Sequence, residues 1–168
     1  ATALFGRGNF LAKEGELLQP DMPKLFPAFE QQPNRLAMAK WFFSPEQPLT
    51  ARVAVNRFWH TLFGRGIVKT LEDFGSIGDK PSHPELLDWL ALTFQHELNW
   101  DIKALLRLLV SSHTYQQKAN STPELYQNDS DNKWLARGPK QRLTAEMVRD
   151  QALLASGLLL CVPSVPAA

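Results

Sequence analysis

Apolar residues recur along most of this chain at the three- and four-residue intervals of an α-helix. In "LTARVAVNRFWHTLFGRG", Ala51, Val55, Phe58 and Leu62 form one stripe, and Arg52, Asn56, Trp59 and Phe63 form a second beside it. Thr50 is the expected cap, Pro48 precedes it, and Gly64 or Gly66 supplies a left-handed terminator. An arginine and an asparagine flanked by aromatics are expected to be only partly exposed. An earlier helix is predicted over "NRLAMAKWFF", capped by Asn34 and ended by "SPEQP". After it, "PSHPELLDWLALTFQHEL" puts Leu86, Leu87, Leu90, Ala91, Phe94 and Leu98 on one wide face. Its first residues read as an S-x-x-E capping box of Ser82 and Glu85, with Pro84 in the first turn. "NWDIKALLRLLVSSHTYQQ" predicts a helix capped by Asp101, with Ile102, Leu105, Leu106 and Leu109 toward the core. A last helix is predicted over "LTAEMVRDQALLASG", capped by Thr144 and stopped near Gly157.

The connecting stretches are polar or broken by proline. Pro20, Pro23, Pro27 and Pro33 make residues 1–33 an irregular arm, pinned to the core by Phe26 and Phe29. Residues 119–138 read as loop, with a short helical turn from Ser121 or Thr122 and Pro123 in its first position. Residues 158–168 form an extended or disordered tail. Strand candidates are short, "GIVKT" and "ALF" near the start. The pattern therefore predicts an all-α fold: an orthogonal bundle of about five helices over 34–157, with long irregular segments around it.

Composition narrows the chemistry. The chain has 168 residues, 44% hydrophobic, with 18 basic and 17 acidic side chains for a formal net charge of +1. That is enough to bury one core, and too balanced to point to nucleic acid or an anionic membrane surface. The single cysteine, Cys161, forbids an internal disulfide, a C-x-x-C-H haem attachment and a cysteine-rich metal cage. It lies in an apolar stretch without a partner and is expected to be inert. The longest apolar run, Ala152 to Val162, is cut by Pro163 and reads as a buried helix end rather than a membrane span. The chain opens on "ATALFGRGNF" without a signal-peptide pattern, as a mature product or an excised domain would.

Candidate chemistry is sparse. His60, His83, His96 and His113 make no metal-binding pair at helical spacing, and no metal site is expected. "GRGIVK" and "FGSIGDK" lack the spacing of a phosphate-binding loop, and "DFG" stands without the other kinase motifs. Ser111 and Ser112 beside His113 do not face it on a helix. Arg142, Glu146, Arg149 and Asp150 line up on the last helix, as a solvated face of weak ion pairs or, with Arg52 and Asn56, as a buried polar network. The loop "DFGSIGDK" reads as a structural clasp. Gly75 and Gly78 supply backbone conformations closed to other residues, Phe74 plugs the core, and Asp73 pairs with Arg52 or Arg57. On that reading Asp73→Ala would cost roughly 3–5 kcal/mol, as for a broken buried ion pair.

Several of these runs, "NRLA", "QPLTAR", "VNRFW", "FGRGIV", "PSHPELLDWLA", "WDIKALLRLLVSSHTYQQ" and "RLTAEMVRDQALLASG", closely resemble the Domain of Unknown Function 1553 family, from about Arg7 to Gly157. The tail "LLLCVPSVPAA" departs from that pattern, where relatives continue through a Gly-Pro-rich segment. The resemblance implies the C-terminal domain of a large exported protein of the planctomycete type, periplasmic or extracellular, associated with a c-type cytochrome. It implies a docking or scaffold role in electron transfer or polysaccharide metabolism. Partners would be other domains of the same polypeptide or a multi-subunit complex, with haem c held by a neighbour and no cofactor in this chain. The alternative is a carbohydrate-active, hydrolase-like domain. Binding residues are then expected among Arg52, Asn56, Arg57, Arg149 and Asp150, with Asp73, His83 and Glu146 as candidate catalytic groups.

Overall fold

The computed structural model describes residues 2–5, 11, 13–18, 21–24, 26 and 34–159. Near its start, β1 (Thr2–Phe5) and β2 (Lys13–Leu18) pair antiparallel, Thr2 opposite Leu18 and Phe5 opposite Lys13, with a register shift between Ala3 and Leu4. The arm is thus not irregular throughout, and "ALF" is a strand as expected. Phe26 meets Trp41 edge to face at 5.7 Å, while Phe29 lies outside the described residues.

Helices make up about half of the remaining described residues, and the fold is all-α in character. They are α1 (Arg35–Phe42), α2 (Pro48–Phe63), α3 (Pro84–Leu92), a π turn (Thr93–Glu97), α4 (Ile102–Val110), α5 (Pro123–Asn128) and α6 (Ala145–Ala155). Most caps are those the sequence predicts. Asn34, Asp101, Thr122 and Thr144 each accept a hydrogen bond from an amide in the first turn. Each such cap contributes about 1 kcal/mol. α2 starts earlier than expected. Its cap is Gln47, whose Oε1 accepts from the Leu49 amide at 2.6 Å, and Pro48 takes the first helical position. Gly64 ends α2 in the left-handed region at φ 77°. Gly157, at φ 71°, ends α6 in a Schellman motif, with the Leu158 amide donating to the Leu153 carbonyl.

The core is built around α2. Val55, Trp59 and Phe63 pack with Ile67 and Val68 of the following loop, Leu87, Leu90 and Phe94 of α3 and the π turn, and Leu105 and Leu109 of α4. The buried face of α2 straddles the two stripes read from the sequence. Ala51, Val55, Asn56, Trp59 and Phe63 are inside, and Phe58 and Leu62 are half-buried. Trp59 and Phe63 stack at 4.0 Å, and Tyr115 closes on Phe63 edge to face at 5.5 Å.

Three helical expectations are corrected. The capping box at Ser82 does not form: His83 is the cap residue, without a side-chain cap bond. The Ser82 amide and hydroxyl are turned instead to the Ile67 carbonyl, at 2.9 and 3.2 Å. Second, the helix from Pro84 does not run evenly to Leu98. The Leu98 amide donates back to the Thr93 carbonyl, five residues away, and the widened turn aims Gln95 inward so that its Nε2 donates to the Ser44 carbonyl at 3.0 Å. Third, Ile102 is exposed, and the Ala152–Leu159 part of the apolar run is surface rather than a buried helix end. "GIVKT" forms no strand. The Ile67–Val68 backbone has its partners elsewhere, in Ser82 and Asn56.

That last contact sets the loop. Asn56 is wholly buried, and its side-chain amide meets the Val68 backbone in both directions: Nδ2 donates to the carbonyl at 3.0 Å, and Oδ1 accepts from the amide at 2.9 Å. Gly66 leaves the room: a Cβ there would lie 2.4 Å from the Val68 carbonyl oxygen and 2.9 Å from Asn56 Nδ2.

Asn56→Ala should therefore cost about 3 kcal/mol or more, since it strands two buried backbone groups. Asn56→Asp should fare no better at neutral pH, because a carboxylate would face the Val68 carbonyl. Urea denaturation midpoints check both. In the same assay Ser82→Ala should cost about 1 kcal/mol and Glu85→Ala almost nothing. A larger loss at Glu85 would restore the capping box.

Candidate functional site

The polar groups concentrate around the two loops that follow α2 and α5. The first holds the glycines of "DFGSIGDK". The Thr70 hydroxyl is its knot: Oγ1 donates to the Asp73 carbonyl at 2.8 Å and accepts from the Asp79 amide at 2.9 Å. The Asp73 carboxylate accepts from the Gly75 amide at 2.7 Å, a local Asx turn. Arg52 pairs instead with Asp88 at 2.7 Å, and Arg57 with Glu72 at 3.2 Å. The expected ion pair of Asp73 with either arginine is therefore replaced by turn chemistry. Phe74 does pack against the core, half-buried. The glycines serve space rather than positive φ. A Cβ on Gly78 would sit 2.2 Å from the Asp73 carbonyl oxygen.

The second loop, Asp129 to Gly138, is bound to itself more densely. The Asp129 carboxylate accepts from the Lys133 and Trp134 amides at 2.6 and 2.9 Å. Arg137 donates to the Asp129 and Ser130 carbonyls, both at 2.7 Å. The Asn132 side chain bridges to the Arg137 backbone. Asp131 then reaches across to the first loop, accepting from Arg65 at 3.0 Å and lying 3.4 Å from Lys69. Trp134 stands 60% exposed, its ring edge to face with His83 at 5.8 Å and Lys133 over it at 4.7 Å. Sequence reading passed over Arg65, Lys69, Asp129, Asp131 and Arg137. The run of Asp and Asn in "NDSDN" was the available signal for a side-chain-bonded loop.

Where the loops meet, Arg65, Ser82, His83, Asn132 and Lys133 line a cavity of about 10 Å³, room for one water molecule. Arg65 Nε is buried there without a protein hydrogen bond. The Ser82 hydroxyl lies 2.9 Å from His83 Nδ1. Its single proton is shared between that nitrogen and the Ile67 carbonyl, so the contact orients the ring more than it activates an oxygen. A substrate does not fit this space. The roomier concavity is an open groove of about 620 Å³ between the C-terminal end of α1 and the stretch of α2 from Leu49 to Phe58, lined mainly by Phe42, Leu49, Val53, Ala54 and Phe58, with Arg57 also in its lining.

The remaining candidates are spread over the surface. Arg149 and Asp150 form an exposed pair at 3.5 Å on α6, and Arg142 and Glu146 are exposed. The alternative of one buried network with Arg52 and Asn56 is not what forms, since Asn56 is occupied by Val68 and Arg52 by Asp88. Hydrogen bonds from its own amide and from Thr144 hold the Glu146 carboxyl below its ordinary range. The Ser44 hydroxyl does the same for Glu46. A carboxyl held low stays ionised at neutral pH, which suits an ion-pair or cap partner and disfavours a general acid. Among the described residues no group of three or more His, Cys, Asp or Glu side chains could hold a metal ion, and no helix is long and apolar enough to cross a membrane. Cys161 lies outside the described residues.

The loop geometry makes a quantitative distinction. Asp73→Ala should cost about 1 kcal/mol, the value of one solvent-accessible turn bond, rather than that of a broken buried ion pair. Gly78→Ala should cost more than Asp73→Ala, because its methyl meets backbone that cannot swing aside. Thermal or urea unfolding of the two variants gives the order.

A search of curated proteins and a search of solved structures each gave no match. A family model described as "PSD1: Protein of unknown function (DUF1553)" matches residues 34–166, which spans every helix described above. The chain belongs to the DUF1553 family.

Proposed function

We propose that this chain is a docking or scaffold module of a larger exported protein that works beside a c-type cytochrome, in electron transfer or polysaccharide metabolism. The observation that carries the reading is a second apolar face on helices whose first face is already in the core. On α1, Ala37 and Trp41 are buried while Leu36 and, at its C-cap, Phe43 stand 64% and 58% exposed. Leu36 and Phe43 are seven residues apart and share one side. On α3, Leu87, Leu90 and Ala91 are buried while Trp89 and Leu92 stand 51% and 57% exposed. Apolar surface grouped in this way marks interaction sites, and aromatic residues are over-represented in them. The partner in this reading is another domain of the same polypeptide or complex. It carries the haem, since one cysteine cannot attach one in this chain.

A carbohydrate hydrolase has less support. The Asp73 carboxylate is engaged by a turn amide, and Glu146 is held ionised on an exposed helix. The test is purification of the native protein with its partners, followed by an absorbance spectrum and mass spectrometry. A haem-bearing polypeptide should co-purify. Leu36→Asp combined with Trp89→Asp should lose it with an unchanged unfolding midpoint. Recovery of the wild type alone, free of haem absorbance, would refute the proposal.

A further inference from the structure

We propose that two copies of this chain pair reciprocally, the outer stripe of α6 in each seated in the α1–α2 groove of the other. The inference goes beyond docking to a haem-bearing domain and uses different faces. α6 buries none of its residues and makes no substantial contact with another element. Leu143 just before it, Met147 and Leu154 on it, and Leu158 just after it stand 41%, 44%, 67% and 69% exposed. Met147 and Leu154, seven residues apart, lie on one side of the helix, and Leu143 and Leu158 add apolar surface beyond its two ends. Helical spacing places Glu146 and Asp150 along one margin of that stripe, and Arg149 toward the back. The stripe is thus apolar with an acidic border.

The groove is its complement. Its walls are Phe42, Leu49, Val53, Ala54 and Phe58, and the charge in its lining is Arg57. The ion pairs now made by these charged groups are both exchangeable. Arg57–Glu72 is 56% and 86% exposed, and Arg149–Asp150 is 75% and 57% exposed. Neither exchange sacrifices much, because pairs so exposed contribute little. An Arg57–Asp150 contact between copies would be partly shielded by the apolar seat.

The stripe does not reach the groove of its own chain. Gln141 Nε2 donates to the Thr61 and Leu62 carbonyls, at 2.6 and 3.2 Å, and fastens the start of the α6 segment to the C-terminal end of α2. The groove runs from Phe58 back to Leu49 at the start of α2, away from that end, and α6 makes no substantial contact with α2. A molecule that bears both a patch and its complement, unable to join them internally, joins them between copies. A two-fold arrangement closes the pair and makes the contact twice, which brings a short helix nearer the roughly 800 Å² per partner of stable interfaces.

Sedimentation velocity and light scattering over a concentration series test this on the chain itself. A dimer is expected. Leu154→Glu, on a side chain already in water, should raise its dissociation constant at least tenfold with an unchanged unfolding midpoint. Asp150→Arg and Arg57→Glu should each weaken the dimer, and the two together should restore it. A chain that is monomeric throughout, a dimer indifferent to Leu154→Glu, a charge exchange that fails to restore, or growth beyond the dimer would each overturn the proposal. So would a monomer whose Leu154→Glu variant loses another domain instead. Haem co-purification that survives in Leu154→Glu keeps the docking reading separate from this one.

Discussion

One buried side-chain amide organises this domain. Asn56 sits on the central helix with no exposure, among Val55, Trp59 and the core of α3 and α4. A free amide there would cost several kcal/mol in lost hydration. It is tolerable because donor and acceptor both meet the backbone of Val68. The same pair of bonds satisfies a loop whose own peptide groups are buried, so Ile67 and Val68 can enter the core without a neighbouring strand. Gly66 is the steric condition for that approach, and the Ser82 contacts to Ile67 extend it to the start of α3. Helix, loop and next helix are thus held by one chain of hydrogen bonds laid through an apolar core.

Further out, the polar groups are used to fix loops. Thr70 ties the turn around Asp73, Asp129 and Arg137 tie the second loop, and Asp131 links the two through Arg65. Charged side chains that might have formed a catalytic cluster are spent singly on backbone amides or on exposed partners. What remains unspent is apolar surface: the outer sides of α1 and α3, the groove beside α2 and the bare stripe of α6. These apolar surfaces are the observations on which the proposed association rests.

The loop that joins α2 to α3 is held by other bonds than the ion pair its sequence suggests. It is a clasp, as its turn residues indicate. Its bonds, however, are local ones from Thr70 and Asp73, and the arginines one helix away choose Asp88 and Glu72. Which carboxylate an arginine meets depends on how helices are placed, and sequence spacing does not carry that. The capping box at Ser82 fails for a related reason. A serine can bond either to its own helix or to a neighbouring carbonyl, and here Ile67 is brought close enough to win.

Local chemistry was decided by the sequence alone: helical period, the caps at Asn34, Asp101, Thr122 and Thr144, the glycine stops at Gly64 and Gly157, and the family pattern that spans the helices. Each depends on residues within a turn or two of one another, whose geometry is nearly the same in any fold. Only the tertiary structure decided that Asn56 would pair with Val68, that the buried face of α2 would fall between its two apolar stripes, that Arg65 would meet Asp131, and that the stripe of α6 would be left in water. These are contacts between segments distant along the chain. The gain from making them is set by how many apolar groups can be packed at once, a property of the whole assembly rather than of any short run of residues.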